Sequence, residues 1–239
     1  MFSCVLAFFN PVLPRSARAS IVRRVALLVC AFTCLGVTAH AAGWGPAASM
    51  ATSSQSHTAT LLPSGKVLVA GRGSPNGSTP VASTELYDPA SNTWSSAGNL
   101  TAARLGATAT LLASGKVLLV AGAGSSGFLN SAELYDPVSN AWSSAGNLTT
   151  ARYGHTATLL PSGKVLVVGG NNGAALGSAE LYDPATNTWS GAGNLTTART
   201  SHTATLLPSG RVMIAGGAAS LSGVAFNSVE IYDPSGNSW

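Results

Sequence analysis

After residue 41 this 239-residue chain contains no cysteine, because its three thiols, Cys4, Cys30 and Cys34, all lie before that point. The remainder folds without disulfides and offers no thiol for nucleophilic attack or metal ligation. Charge is scarce too: 8% of residues are charged, and the surplus is local. Four of the twelve basic residues, Arg15, Arg18, Arg23 and Arg24, also precede residue 41, so the formal net charge of +4 belongs to that segment. The rest of the chain is balanced and presents no basic surface of the kind that binds nucleic acid or anionic lipid. No later segment has the 3.6-residue apolar period and caps of a helix, which excludes a helical solenoid. There is no HExxH, no P-loop, no GxSxG and no carboxylate pair outside repeated positions, so neither a catalytic constellation nor a cofactor site is expected.

Residues 1–41 read as an export signal: the arginines precede the apolar run "VALLVCAFTCLGV", which leads to the small-residue site Ala39-His40-Ala41. That run is shorter than the about 20 residues needed to span a bilayer, which argues against a retained anchor. A mature chain beginning at Ala42, secreted or periplasmic and free of the membrane, is the expectation.

From residue 42 to 239 the chain says one thing four times. Units open at His57, Ala107, His155 and His202, reach "ELYDP" or "EIYDP" at Glu85, Glu133, Glu180 and Glu230, and then a tryptophan, Trp94, Trp142, Trp189 and Trp239. The opening position lies eight residues before the turn glycine in every unit, and Glu lies nine before Trp. Only the connection between the glycine pair (or its equivalent) and Glu changes length, with steps of 13, 11, 10 and 13 from Arg72, Gly122, Gly170 and Gly217. A period of 47 to 50 residues indicates a propeller or a solenoid. "TATLL" and "KVLVV" around a Ser-Gly turn read as one hairpin, and "AELYD" and "TWSGAG" around "DPATN" as a second. The expectation is an all-β fold of four repeats, about 44–94, 95–142, 143–189 and 190–239, each of four antiparallel strands.

The glycine pair, the Tyr of "ELYDP" and the Trp nine residues after Glu resemble the kelch repeat. The wording "HTATLLPSGKVLVxGG" is similar to that of bacterial secreted kelch proteins and of the galactose oxidase propeller. Gly71-Arg72 and Ala121-Gly122 depart from the glycine pair, and Ala107 from the histidine. The resemblance implies a kelch-type β-propeller, either a closed four-blade ring or part of a larger propeller. Because "GWGPAASM" aligns with "AWSSAGNL", Trp44 falling on Trp142, an N-terminal strand is available to complete the last blade. Copper-radical oxidase chemistry does not carry over, since it needs a cysteine-linked tyrosine.

Repetition argues that most charges are structural. The Asp before Pro caps its turn, and Glu and Arg are expected to pair between blades, contributing only about 0 to 1 kcal/mol as an exposed pair. His57, His155 and His202 recur on first strands; a metal is one reading, and a bond inside each histidine's own blade is the plainer one. In an up-and-down blade the variable loops and the "TTAR" links leave from one end of the sheet. That face carries the unrepeated Arg72, Phe128, Asn171, Asn172 and Phe226 beside Arg104, Arg152 and Arg199, which are the expected ligand-binding residues. The expected role is a non-catalytic binding module for a protein or glycan. The alternative is an exported sugar-active enzyme, such as an epimerase or mutarotase.

Overall fold

The computed structural model describes residues 46–74 and 79–239. The expected signal, the cleavage site and Trp44 lie outside the described residues. The described residues are strand, turn and loop, with no helix long and apolar enough to cross a membrane.

Each repeat forms one sheet. In the first, β1 (Thr58–Leu61) pairs with β2 (Val67–Ala70); β4 (Pro80–Asp88) pairs with β2, with the short β3 (Arg72–Gly73) and with β5 (Thr93–Arg104). The second is built from β6 (Thr108–Leu111) and β7 (Val117–Val120), a two-residue ribbon of β8 (Ala123–Gly124) and β9 (Gly127–Phe128), then β10 (Ser131–Asp136) and β11 (Ala141–Asn147). The third runs in simple order through β12 (Thr156–Leu159), β13 (Val165–Val168), β14 (Ser178–Asp183) and β15 (Thr188–Asn194). The fourth holds three strands, β16 (Thr203–Leu206), β17 (Val212–Ala215) and β18 (Val229–Tyr232). All pairings are antiparallel, as expected for the blades of a propeller, and the first strands of consecutive blades lie side by side.

Both faces of an inner blade are buried, which is why β7 and β13 are apolar throughout instead of alternating. Leu118, Val120 and Ala132 of the second blade meet Val165, Val167 and Tyr182 of the third. Leu166, Val168 and Ala179 of the third meet Val212, Ile214 and Tyr232 of the fourth. Tyrosine and tryptophan share the packing unequally. Tyr135, Tyr182 and Tyr232 are fully buried, whereas Trp142, Trp189 and Trp239 are half-exposed and lie tilted against them at about 5.1 to 5.2 Å.

The turns reflect the residues that make them. Asp88, Asp136, Asp183 and Asp233 each accept a backbone N–H two residues on. Asn92, Asn140, Asn187 and Asn237 take the left-handed conformation, with φ between 48° and 56°. At those positions asparagine's short side chain tolerates a positive φ.

Candidate functional site

The variable-loop face is built on a recurring clasp. In the third blade Arg152 donates from Nη1 to the carbonyls of Gly169 (2.9 Å) and Ser178 (3.1 Å), and from Nη2 to Ser178 Oγ and to Glu180 Oε1 (2.6 Å). Glu180 in turn accepts the backbone N–H groups of Thr149 and Thr150. Arg104 with Glu133 and Arg199 with Glu230 repeat this arrangement at 2.8 Å. One guanidinium thereby ties the link entering a blade to both stems of that blade's variable loop. The loop can change length without moving the sheet beneath it.

These pairs correct two expectations. The Glu–Arg pairs are interior, with the arginines at most 1% exposed, so breaking one strands a buried charge. Arg72, Arg104, Arg152 and Arg199 are therefore committed to the fold instead of standing free for a ligand. Burial draws Arg104 and Arg152 below their usual pKa, and the charges of Glu133 and Glu180 oppose this. Arg72 is no exception to the repeat. Ser54 stands where the other blades carry the link arginine, and Arg72 reaches the same point from the glycine column, donating to Ser54 Oγ, Ser83 Oγ and Glu85 Oε1.

With Lys66–Asp88, Lys116–Asp136, Lys164–Asp183 and Arg211–Asp233 at 2.8 to 3.2 Å on the turn face, every charged side chain after residue 41 belongs to one of eight pairs. Hydrogen bonds from Lys66, Lys116 and Lys164 hold Asp88, Asp136 and Asp183 below the usual carboxylate range.

The histidines do not bond inside their own blades. His155 Nε2 lies 2.9 Å from Thr108 Oγ1 and His202 Nε2 lies 2.9 Å from Thr156 Oγ1, each across a blade boundary. Burial, reinforced by Arg152 and His202, pushes His155 down to about 3. Burial and Arg199 push His202 down to about 4. His57 is exposed. Among the described residues no three His, Cys, Asp or Glu side chains gather as metal ligands.

Of the other expected site residues, Asn171 is buried, and its side chain accepts the N–H of Gly173, capping its own loop. Asn172 is exposed. Phe128, 36% exposed, stacks on Tyr153 with ring centroids 6.0 Å apart, and half-buried Phe226 carries Arg199 over its ring at 5.6 Å. Sequence reasoning missed Tyr153, which forms a bridge with Asn171. It was visible as the one aromatic in a column otherwise held by Gln55, Leu105 and Thr200. Leu221 and Val224, 56% and 87% exposed in the fourth loop, were missed as well.

Solvent-facing Phe128, Leu221 and Val224 thus stand on rigidly stemmed loops. Consistent with the blades, a family model described as the KLHDC2/KLHL20/DRC7 Kelch-repeats domain matches residues 56–239. The chain belongs to the kelch-repeat family, whose repeats generally mediate protein–protein interaction. No curated protein matches it.

Proposed function

We propose that the chain is an exported, non-catalytic binding module whose variable-loop face takes a protein or glycan ligand. The observation that carries this reading is the clustering of unrepeated Phe128, Leu221, Val224 and half-buried Phe226 on the length-varying loops, where the turn face has, among the described residues, only Val138 as an unrepeated exposed apolar residue. Aromatic side chains, phenylalanine included, are enriched at interfaces, and loops on a fixed scaffold are where binding concentrates. The turn face, by contrast, repeats the same Lys–Asp pair in three blades and an Arg–Asp pair in the fourth.

The test is a glycan array and a displayed-peptide library probed with the chain released by an exporting host, whose first residue by mass spectrometry is expected to be Ala42. Phe128→Ala and Val224→Ser are expected to weaken any selected ligand at least tenfold with an unchanged melting midpoint, while Lys164→Ala leaves binding intact. Loss on Lys164→Ala with Phe128→Ala binding normally would place recognition on the other face. Conversion of an arrayed sugar would favour the enzyme reading.

A further inference from the structure

In each of the first three blades the register between the last two strands slips beside the clasp glutamate, between Ser83 and Glu85, Ser131 and Glu133, and Ser178 and Glu180. In two of them a serine stands opposite that glutamate. Ser96 pairs with Glu85 and Ser144 with Glu133, and their Oγ atoms accept the N–H groups of Gly98 and Gly146, folding back over the bulge. In the third blade the residue opposite Glu180 is Gly191. Paired residues share a face of the sheet, so the missing side chain uncovers the side on which Glu180 stands.

There the third blade has an open crevice of about 290 Å³, lined by Thr149, Thr150, Ser178, Glu180, Gly191 and Asn194 with neighbouring small residues. Its polar groups are of both kinds. Glu180 accepts three hydrogen bonds, from Thr149, Thr150 and Arg152, of about four that a carboxylate can take. Ser178 Oγ accepts from Arg152 Nη2 and keeps its own proton to donate. Among the described residues neither the Thr150 hydroxyl nor the Asn194 amide has a hydrogen-bond partner. Thr150 is itself particular to this blade, since Ala102 holds the same place in the link to the second. Arg152 cancels the charge of Glu180 at 2.6 Å, and no other ionic side chain lines the crevice.

We propose that this crevice is a binding site for one neutral sugar ring. A ligand entering it meets donors and acceptors close together and no net charge, which suits vicinal hydroxyls, each of them donor and acceptor at once, and favours neither a cation nor an anion. The volume lies at the foot of the range of about 300–1,000 Å³ for small-molecule sites, which matches a monosaccharide unit instead of a chain of them. No aromatic ring lines the crevice, so affinity rests on hydrogen bonds of modest net worth and falls in the millimolar range. The site goes beyond the loop-tip surface, because none of Phe128, Leu221, Val224 and Phe226 lines it.

Amide spectra of the isotope-labelled chain, titrated with D-glucose, D-galactose and D-mannose, are expected to show saturable shifts at Gly191, Gly193 and Asn194 with at least one of the three. Gly191→Ser writes the residue of the first two blades into the third. A Cβ at Gly191 meets no atom within 4 Å, so the melting midpoint holds while affinity falls at least tenfold. Thr150→Ala, the residue of the second blade, lowers affinity severalfold, and Phe128→Ala leaves it unchanged. The glucuronate and glucosamine forms of a bound sugar bind at least tenfold more weakly than the neutral parent. No saturation with any of the three sugars, full affinity in Gly191→Ser, or equal binding of a charged sugar would each overturn the proposal. Loss of sugar binding in Phe128→Ala would do so too, by moving the sugar to the loop tips.

Discussion

Glu85 receives its guanidinium from a position that is glycine in the other three blades. The exchange is possible because the bridge between Gln55 and Gly73 sets Ser54 and Arg72 beside each other, so either backbone position can deliver a cation to the same carboxylate. Removing that cation leaves Glu85 buried and unpaired. Arg72→Ala is expected to destabilise the chain by about 3–5 kcal/mol, read from urea unfolding. The double change Ser54→Arg/Arg72→Gly, which rewrites the first blade in the words of the others, should recover most of the loss. A midpoint for Arg72→Ala equal to wild type would mean that the pair contributes nothing. In the sequence Arg72 looks like an outlier free for a ligand, because spacing along the chain does not say which side chains converge across a bridge. The empty arginine column at Ser54 was the readable sign.

Within each blade the second hairpin is held by its asparagine. Asn187 combines a φ of 56° with a 2.8 Å hydrogen bond accepted from the Tyr182 hydroxyl. Alanine there meets the left-handed strain and loses the bond, an expected cost of about 2 kcal/mol. Glycine relieves the strain but not the lost bond, so Asn187→Gly should fall between Asn187→Ala and wild type in chemical denaturation. Equal costs for the two would show that conformation plays no part. This element was legible from "DPATN" alone, since the turn depends on residues adjacent in sequence. Which aromatic takes the interior was not legible, because Tyr182 and Trp189 are paired across the hairpin and only packing against the preceding blade decides between them.

At the scale of the whole molecule, the four-fold repetition made the blades, their strands and the variable face readable, while the two ends were not, since identical words do not say whether a last copy meets the first. The boundaries between blades carry a pH dependence. Unfolded, His155 and His202 take up protons near 6.5; folded, they do so only near about 3 and about 4. The folded state therefore binds fewer protons in this window. Stability is full above pH 6.5 and falls as the pH drops towards those values, by up to about 1.4 kcal/mol per pH unit for each histidine. The depressed aspartates Asp88, Asp136 and Asp183 add to the loss only below their ordinary 3.8. Thermal melts from pH 7 to 4.5 should show a steady decline that His155→Ala/His202→Ala, imitating Ala107, largely flattens; an equal slope in that variant would exclude the histidines as its cause. The eight closed ion pairs have a consequence of another kind. With each cation after residue 41 cancelled at contact distance, the repeat region projects little field into solvent, and a partner approaching it is neither drawn in nor turned. Encounter then proceeds at the about 10⁵–10⁶ M⁻¹s⁻¹ of unsteered collision, indifferent to ionic strength, and discrimination between partners falls to how long each one stays.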